Sequence, residues 1–134
     1  MHRRHFLALT AGMSVFPLAS RSFATTLYTP GAAEAAMDAG KTVLLDFWAS
    51  WCSTCAAQER ALTALKAENP AYEQKIEFFI VDWDEHGKGA LSKALKIPRR
   101  STLVALKGRQ ELGRIVAGTS KADIKALLDK ALSA

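Results

Sequence analysis

The fold of this chain is decided by the stretch Val43-Leu44-Leu45-Asp46-Phe47-Trp48-Ala49-Ser50-Trp51-Cys52-Ser53-Thr54-Cys55. Its first three residues are apolar on both faces of a strand, which is typical of a central strand covered by helices on each side. The strand ends at the two tryptophans, and the Cys-x-x-Cys pair falls in the first turn of a predicted helix. Because the chain has 2 cysteines in all, its sulfur chemistry is confined to this point.

The size and composition of the chain predict one ordinary globular domain. A length of 134 residues is typical of a single domain, and 49% hydrophobic against 23% charged residues argues against disorder. The formal charge of +5 is concentrated at the start, because without Arg3, Arg4 and Arg21 the 18 Lys and Arg fall to 15 against 13 Asp and Glu. That excess is too small to indicate nucleic-acid binding.

Helical and strand patterns alternate along the chain and predict an α/β fold. A short leading strand at Thr25–Tyr28 precedes a helix with Thr29 as N-cap, Pro30 at its first position and Gly40 as its stop. The other predicted elements are strand Lys41–Trp48, long helix Cys52–Asn69, strand Ile76–Val81, polar loop Asp82–Gly87, short helix Ala90–Lys96, strands Ser101–Leu106 and Glu111–Val116, and a closing helix after the capping box Ser120–Asp123. Early alternation and a late hairpin predict a mixed sheet with helices on both faces.

The first 24 residues have the pattern of an export signal. A basic start precedes an apolar run, Phe6–Ala19, that is shorter than the roughly 17–25 residues needed to span a bilayer. Small residues at Ser22 and Ala24 predict cleavage after Ala24, and Arg3-Arg4 resembles a twin-arginine signal. We therefore predict a signal peptide at 1–24 and a domain at 25–134; an uncleaved membrane tether and an N-terminal core helix are the alternatives.

Cys52 and Cys55 are placed for thiol-disulfide exchange. A thiolate attacks a disulfide, and a cysteine at a helix N-terminus meets unpaired N–H groups that lower its pKa, to roughly 3.5–7.5 in such sites. Cys52 has this position, while Cys55 lies nearly one turn further on, beside the first sulfur and more deeply buried. Cys52 can attack a substrate disulfide, and Cys55 can resolve the mixed disulfide that forms.

Asp46 is the third candidate catalytic residue. A carboxylate within an apolar strand is costly to bury, so it requires either a partner or a raised pKa. Asp46 precedes the Cys-x-x-Cys pair at the inner end of its strand and can accept the proton of Cys55 during resolution. A structural aspartate bonded to nearby backbone groups is the alternative.

Other cysteine chemistries fit these residues less well. A c-type haem attachment requires His after the second cysteine, where this chain has Ala56. A closed zinc site requires four ligands, whereas the chain beyond the signal offers the two cysteines and His86. A static disulfide across so short a loop would add little stability.

Together these residues resemble the thioredoxin family from about Lys41 to the end of the chain. The resemblance rests on residues 43–51, on the Cys-x-x-Cys pair, and on Thr102-Leu103-Val104-Ala105-Leu106-Lys107-Gly108. It implies a three-layer α/β/α fold with a central mixed sheet, in which Cys52 attacks, Cys55 resolves, Asp46 is the buried acid and Trp51 belongs to the substrate platform. It implies no cofactor other than the Cys52–Cys55 disulfide.

The strand that should face the cysteines departs from the family pattern. Thioredoxins carry a cis-proline just before the threonine that opens the hairpin strand, but Thr102 is preceded by Ser101. We therefore expect Ser101 in the cis-proline position with a trans peptide bond, and we assign Ser101 and Thr102 to the substrate-binding face. Aligning Pro98 with the cis-proline is the alternative, although it would start a buried strand with two arginines.

Three further positions differ from the family. Ser53-Thr54 replaces the Gly-Pro between the cysteines, which alters the reduction potential in a direction that side chains alone do not give. Ile80 replaces the lysine that thioredoxins place near the buried acid, so we expect Asp46 to be less compensated and easier to protonate. Trp83 replaces an apolar residue beside the site and is a candidate for contact with a protein substrate.

We therefore predict an exported, periplasmic thiol-disulfide oxidoreductase that acts on protein thiols or disulfides and is monomeric. Trp48, Trp51 and the lack of histidine between the cysteines favour a reductant, which needs a membrane or periplasmic redox partner. A periplasmic oxidant is the first alternative. A Cu(I)-handling protein is the second, because two thiolates suit Cu(I), and a redox-silent binding module is the third.

Overall fold

The computed structural model describes residues 24–134, together with Gly12. The predicted signal peptide therefore lies almost wholly outside the described residues. Within the described part of the chain, no helix is long and apolar enough to cross a membrane.

The described residues form five strands and six helices. Their bounds are β1 Thr26–Leu27, α1 Ala32–Asp38, β2 Thr42–Trp48, α2 Ser53–Glu68, α3 Ala71–Lys75, β3 Glu77–Asp82, α4 Trp83–His86, α5 Ala90–Ala94, β4 Thr102–Lys107, β5 Gln110–Val116 and α6 Lys121–Leu132.

The strands form one mixed sheet in the order β1-β3-β2-β4-β5. β1, β3 and β2 are parallel, while β4 runs antiparallel to β2, and β5 antiparallel to β4. β2, which carries the apolar run and Asp46, is the central strand, and it leads directly toward the cysteines. This arrangement confirms the predicted mixed sheet.

Both faces of the sheet are covered by helices, as predicted. Successive side chains of a strand point to opposite faces, so Leu45 and Phe47 of β2 pack with the α1 residues Ala33 and Met37. Leu44 lies on the other face. It belongs to a second cluster formed with α2, α3 and α6, whose members include Leu62, Leu65, Tyr72, Ile124 and Leu128. The α/β/α layering is confirmed, and Asp46 shares the α2 face with Leu44.

The start of α1 differs from the prediction. The helix begins at Ala32 rather than Pro30, and its N-cap is Gly31 in a left-handed conformation, with φ 91°. Thr29 makes no side-chain cap; only its carbonyl accepts a backbone bond, from Ala32 N–H at 3.0 Å. The prediction of a threonine cap was wrong because glycine, which adopts positive φ without strain, turns the chain into the helix two residues later.

Three short elements also differ from the predictions. The predicted loop Asp82–Gly87 contains the helical turn α4, which Asp82 caps by accepting from the Asp84 N–H at 2.9 Å. After α2 ends as expected before Asn69-Pro70, the chain forms α3, where no element was predicted. The link between β4 and β5 is also shorter than predicted, because Lys107 and Gln110 pair with each other.

Candidate active site

The cysteine pair lies where β2 gives way to α2. Cys52 is the N-cap of α2, and its sulfur accepts the Cys55 N–H at 3.1 Å. The two Cα atoms are 5.2 Å apart, and the sulfurs are joined as a disulfide. Cys52 is 5% exposed and Cys55 is 0% exposed. The predicted asymmetry is therefore present, with Cys52 at the helix N-terminus and Cys55 buried behind it.

Ser101 faces both cysteines. Its Oγ lies 3.0 Å from the Cys52 sulfur and 3.1 Å from the Cys55 sulfur. The disulfide carries no S–H, so the hydroxyl is the donor in this contact. All peptide bonds in the described residues are trans, as expected for Ser101 and contrary to the alternative alignment of Pro98.

The backbone of Ser101 is held in place by three hydrogen bonds. Its N–H donates to the Phe47 carbonyl at 2.7 Å, and its own carbonyl accepts from the Ala117 N–H at 2.8 Å. The same carbonyl accepts from the Gln58 side-chain amide at 2.9 Å. Ser101 also has a positive φ of 61°, a conformation that non-glycine residues rarely adopt without such fixation.

Gln58 is a site residue that the sequence reasoning missed. It is 0% exposed, and its Nε2 spans the Ser101 carbonyl and the Gly118 carbonyl at 2.9 Å each. Helical spacing places it on the same stripe as Leu62 and Leu65. A polar residue in the buried stripe of α2 was the signal that could have identified it.

Asp46 lies at the edge of a small cavity on the α2 side of the sheet, here called the Asp46 cavity. Its volume is about 140 Å³, and its lining residues are Thr25, Asp46, Glu59, Leu62, Thr63, Lys66, Phe78 and Ile80. Asp46 is 6% exposed, and its Oδ1 has no hydrogen-bond partner. Burial, with a smaller contribution from the Glu59 charge, raises the pKa of Asp46 to about 7, although Lys66 opposes the shift. Of the two predicted outcomes, a partner or a raised pKa, the structure has the second.

A lysine does approach the buried acid, but from a different element. Ile80 is the β3 neighbour of Asp46 and lines the cavity, as expected from the replacement of the family's lysine. Lys66 of α2 lines the same cavity and lowers the pKa of Asp46. Asp46 is easier to protonate, as expected, and Lys66 offsets only part of the shift in its pKa. The Lys66 ammonium also lies 4.0 Å from the Phe78 ring centroid, and burial lowers its pKa.

Trp51 forms an exposed platform beside the disulfide. It is 59% exposed, and its indole N–H donates to the two Asp84 carboxylate oxygens at 3.2 and 3.0 Å. The Arg100 guanidinium stacks on its ring, 4.3 Å from the centroid. A groove of about 540 Å³ runs beside it, lined by Trp51, Trp83, Asp84, Glu85, Gly87 and Lys88.

Two other predicted site residues, Trp83 and Thr102, make contacts within the folded protein. Trp83 is half-buried, packs edge-on against Phe47 with ring centroids 6.4 Å apart, and touches the cysteine cluster while lining the groove. Thr102 is 0% exposed, and its hydroxyl donates to the Arg99 carbonyl at 2.8 Å. Contact between these side chains and substrate stays a prediction.

The site matches a known family. A family model described as Thioredoxin matches residues 26–130. The chain belongs to the thioredoxin family. Thioredoxin from Staphylococcus aureus is 33% identical to it over 90 residues, which cover 66% of this chain and 81% of that protein. Family membership together with the Cys52–Cys55 pair makes this protein a thiol-disulfide oxidoreductase.

Solved thioredoxin structures show the same architecture. The Trxlp protein of Edwardsiella tarda EIB202 superposes with a TM-score of 0.69 at 30% identity, over 78% of this chain and 98% of that one. Thioredoxin from Malassezia sympodialis also has a TM-score of 0.69, over 81% of this chain and 93% of that one. Its identity of 23% supports the fold alone.

Within the described residues, no cluster of three or more His, Cys, Asp or Glu side chains is arranged to hold a metal ion.

Proposed function

We propose that this protein is an exported reductant of protein disulfides. The observation that carries the proposal is the combination of a disulfide at the start of α2 with a buried carboxyl whose pKa is raised to about 7. A group with such a pKa exchanges protons readily near neutral pH. Asp46 is thereby suited to accept the proton that Cys55 must lose.

The reaction proceeds in two exchanges. The Cys52 thiolate attacks one sulfur of a substrate disulfide, forming a mixed disulfide and releasing the other substrate sulfur as a thiolate. Cys55 then gives its proton to Asp46, and its thiolate attacks the Cys52 sulfur. The bond from Cys52 to the substrate breaks, the second substrate thiolate leaves, and the enzyme ends as the Cys52–Cys55 disulfide. The substrate gains two electrons and the enzyme loses two.

The uncharged hydrogen-bond donors to the Cys52 sulfur support the reducing direction. Strong oxidants of this type have a strongly stabilised reduced form. In this protein Ser53 and Thr54 are uncharged, and the hydrogen bonds described for the Cys52 sulfur come from one N–H and one hydroxyl. Neither of these two donors carries a formal charge, which favours a moderate potential.

The exposed Trp51 and the adjoining groove support a protein as substrate. An aromatic ring at the rim of a groove offers a large contact area at low cost in conformational entropy. The ring is already oriented by Asp84 and Arg100. An extended segment around a substrate disulfide fits such a surface.

Redox titration tests the proposed direction. Protein comprising residues 25–134 is equilibrated in glutathione or dithiothreitol buffers, and the free thiols are counted by alkylation. We expect a reversible couple near thioredoxin's potential of about −270 mV, whereas a value near −120 mV would make the protein an oxidant. Lack of a reversible couple, or stoichiometric retention of Cu(I), would overturn the reductase proposal.

Export is supported by the pattern of residues 1–24 and by a family match that starts at residue 26, after the proposed cleavage point. We expect the mature protein recovered from the periplasm to begin at Thr25. Replacement of Arg3 and Arg4 by lysines should block export by the twin-arginine route. An unprocessed protein in the cytoplasmic fraction would contradict export, and unchanged export of the lysine variant would contradict the route.

A further inference from the structure

We propose that Ser101 is a catalytic hydrogen-bond donor that serves the two cysteine sulfurs in turn. Its hydroxyl lies 3.0 Å from the Cys52 sulfur and 3.1 Å from the Cys55 sulfur, so one O–H group is nearly equidistant from both reacting atoms. A proline at this position would offer no donor of any kind. Ser101 therefore adds an interaction with sulfur that a proline cannot make.

The position of the hydroxyl is fixed by the fold. Both backbone polar groups of Ser101 are bonded, to Phe47, Ala117 and Gln58, at distances between 2.7 and 2.9 Å. The residue is 0% exposed. Since the backbone cannot move away without breaking these bonds, the hydroxyl stays beside the sulfurs when the disulfide opens, and only its O–H direction changes.

This donor acts at the two points of the cycle where a sulfur is negative. In the reduced enzyme the hydroxyl donates to the Cys52 thiolate, which lowers the pKa of that thiol and increases the fraction ready to attack. In the mixed disulfide Cys52 is no longer an anion, and the hydroxyl turns to Cys55 as its proton passes to Asp46. No atom is transferred to or from Ser101.

None of the hydrogen bonds described for the Cys52 sulfur comes from a charged group. Arg100, which precedes Ser101, stacks on Trp51, and its buried Nε has no hydrogen-bond partner. Asp46 of β2, with Glu59 and Lys66 of α2, lines the Asp46 cavity. The cysteine cluster packs against the aromatic residues Trp48 and Trp83. The Ser101 hydroxyl and the Cys55 N–H are therefore the donors described for the Cys52 sulfur.

The test compares Ser101→Ala, Ser101→Gly and a matched control, Ser92→Ala. Ser92 is also buried, at 2% exposed, but its hydroxyl donates to the His86 carbonyl at 2.8 Å, away from the cysteines. Alanine removes the Ser101 hydroxyl and keeps the side-chain Cβ. Glycine removes it while relieving the positive φ, so it is the variant that folds if alanine does not. The readout is the pKa of Cys52 in the reduced protein, from the pH dependence of its alkylation.

We expect the pKa of Cys52 to rise by about one to two units in both Ser101 variants, because hydrogen bonds to charged groups are roughly that strong. It should stay unchanged in Ser92→Ala. The variants should also become more reducing, by about 30 mV for each tenfold change in the exchange equilibrium. An unchanged Cys52 pKa in either folded variant would overturn the proposal. A shift in Ser101→Ala without one in Ser101→Gly would be an effect of backbone strain and not of the missing hydroxyl.

This inference rests on the dithiol chemistry proposed above and not on its direction. An oxidising potential for the unaltered protein would end the reductant proposal and leave the pKa comparison intact. Conversely, a reducing potential with no effect of Ser101→Ala or Ser101→Gly would end the role of Ser101 alone.

Discussion

The Asp46 cavity and the turn that carries Ser101, both of which we propose to act on the cysteine pair, are built in opposite ways. The cavity holds three ionisable side chains, about 140 Å³ of space and a carboxyl oxygen with no hydrogen-bond partner. Ser101 has no ionisable group, and its backbone is fixed by hydrogen bonds. The difference teaches that a proton acceptor needs room and an adjustable charge, whereas a donor to sulfur needs a fixed position.

The largest effect should come from the atoms that both regions serve. Cys52→Ser should abolish disulfide reduction, because no thiolate remains to attack. Cys55→Ser should instead trap a covalent adduct between Cys52 and substrate, because resolution is lost. Electrophoresis without a reducing agent measures the adduct. Loss of activity in Cys55→Ser without any adduct would contradict the division of roles.

Removal of the buried carboxyl should change stability in a direction set by its pKa. Burial raises the pKa of Asp46 from 3.8 to about 7, so the folded protein binds this proton more tightly than the unfolded chain does. Its contribution to stability is therefore greatest below about pH 4 and is lost as the pH rises through about 7. The unfolding free energy of Asp46→Asn, measured relative to that of the unaltered protein, should therefore increase by up to about 4 kcal/mol as the pH rises from about 4 to about 7.

Denaturant titrations at several pH values measure this gain, with Asp38→Asn as the control. Asp38 is exposed and paired with Arg109 on the surface, so its replacement should cost little. A pH-independent difference between Asp46→Asn and the unaltered protein would show that the raised pKa is wrong.

The two charges that share the cavity should move the Asp46 pKa in opposite directions. Glu59 raises this pKa and Lys66 lowers it. Glu59→Gln should therefore lower the pKa of Asp46, and Lys66→Gln should raise it. Carboxyl chemical shifts followed by NMR through a pH titration report both changes. Shifts of the same sign would contradict the assignment of Lys66 as the compensating lysine.

The smallest effect is expected at the exposed platform. Trp51→Phe keeps an aromatic ring beside the groove but removes the hydrogen bonds to Asp84. Because these bonds are exposed, we expect a change of at most about 0.5 kcal/mol in unfolding free energy and a small rise in KM. Trp51→Ala should raise KM more. Equal KM values for the two variants would argue against contact between the ring and substrate.

The predictable part of this protein is the part specified by local pattern. The apolar run of β2, the cysteine spacing and the Ser120 cap of α6 each act within a few residues, and all three are present as predicted. Ser101 was located because the family pattern places a particular residue before Thr102. The sequence predicted that Ser101 faces the cysteines, but it did not predict that the hydroxyl contacts both sulfurs.

The unpredicted part depends on contacts between distant elements. Gln58 and Lys66 lie on α2, and the sequence shows only that they share helical faces with other residues. Their roles depend on how α2 packs against β2, β3 and the Ser101 turn, which is a tertiary property. The short helices α3 and α4 were missed for a related reason, since segments of five and four residues carry little helical pattern of their own.

The central claim is that the Asp46 cavity moves the proton while Ser101 stabilises charge on sulfur. Its most direct test is the pH dependence of the resolution rate, measured by rapid mixing after a mixed disulfide has formed on Cys52. The rate should rise with pH through about 7 in the unaltered protein, as the Asp46 carboxyl becomes able to accept a proton. This dependence should persist in Ser101→Ala at a lower rate and disappear in Asp46→Asn. A rise through pH 7 that survives in Asp46→Asn would contradict the account.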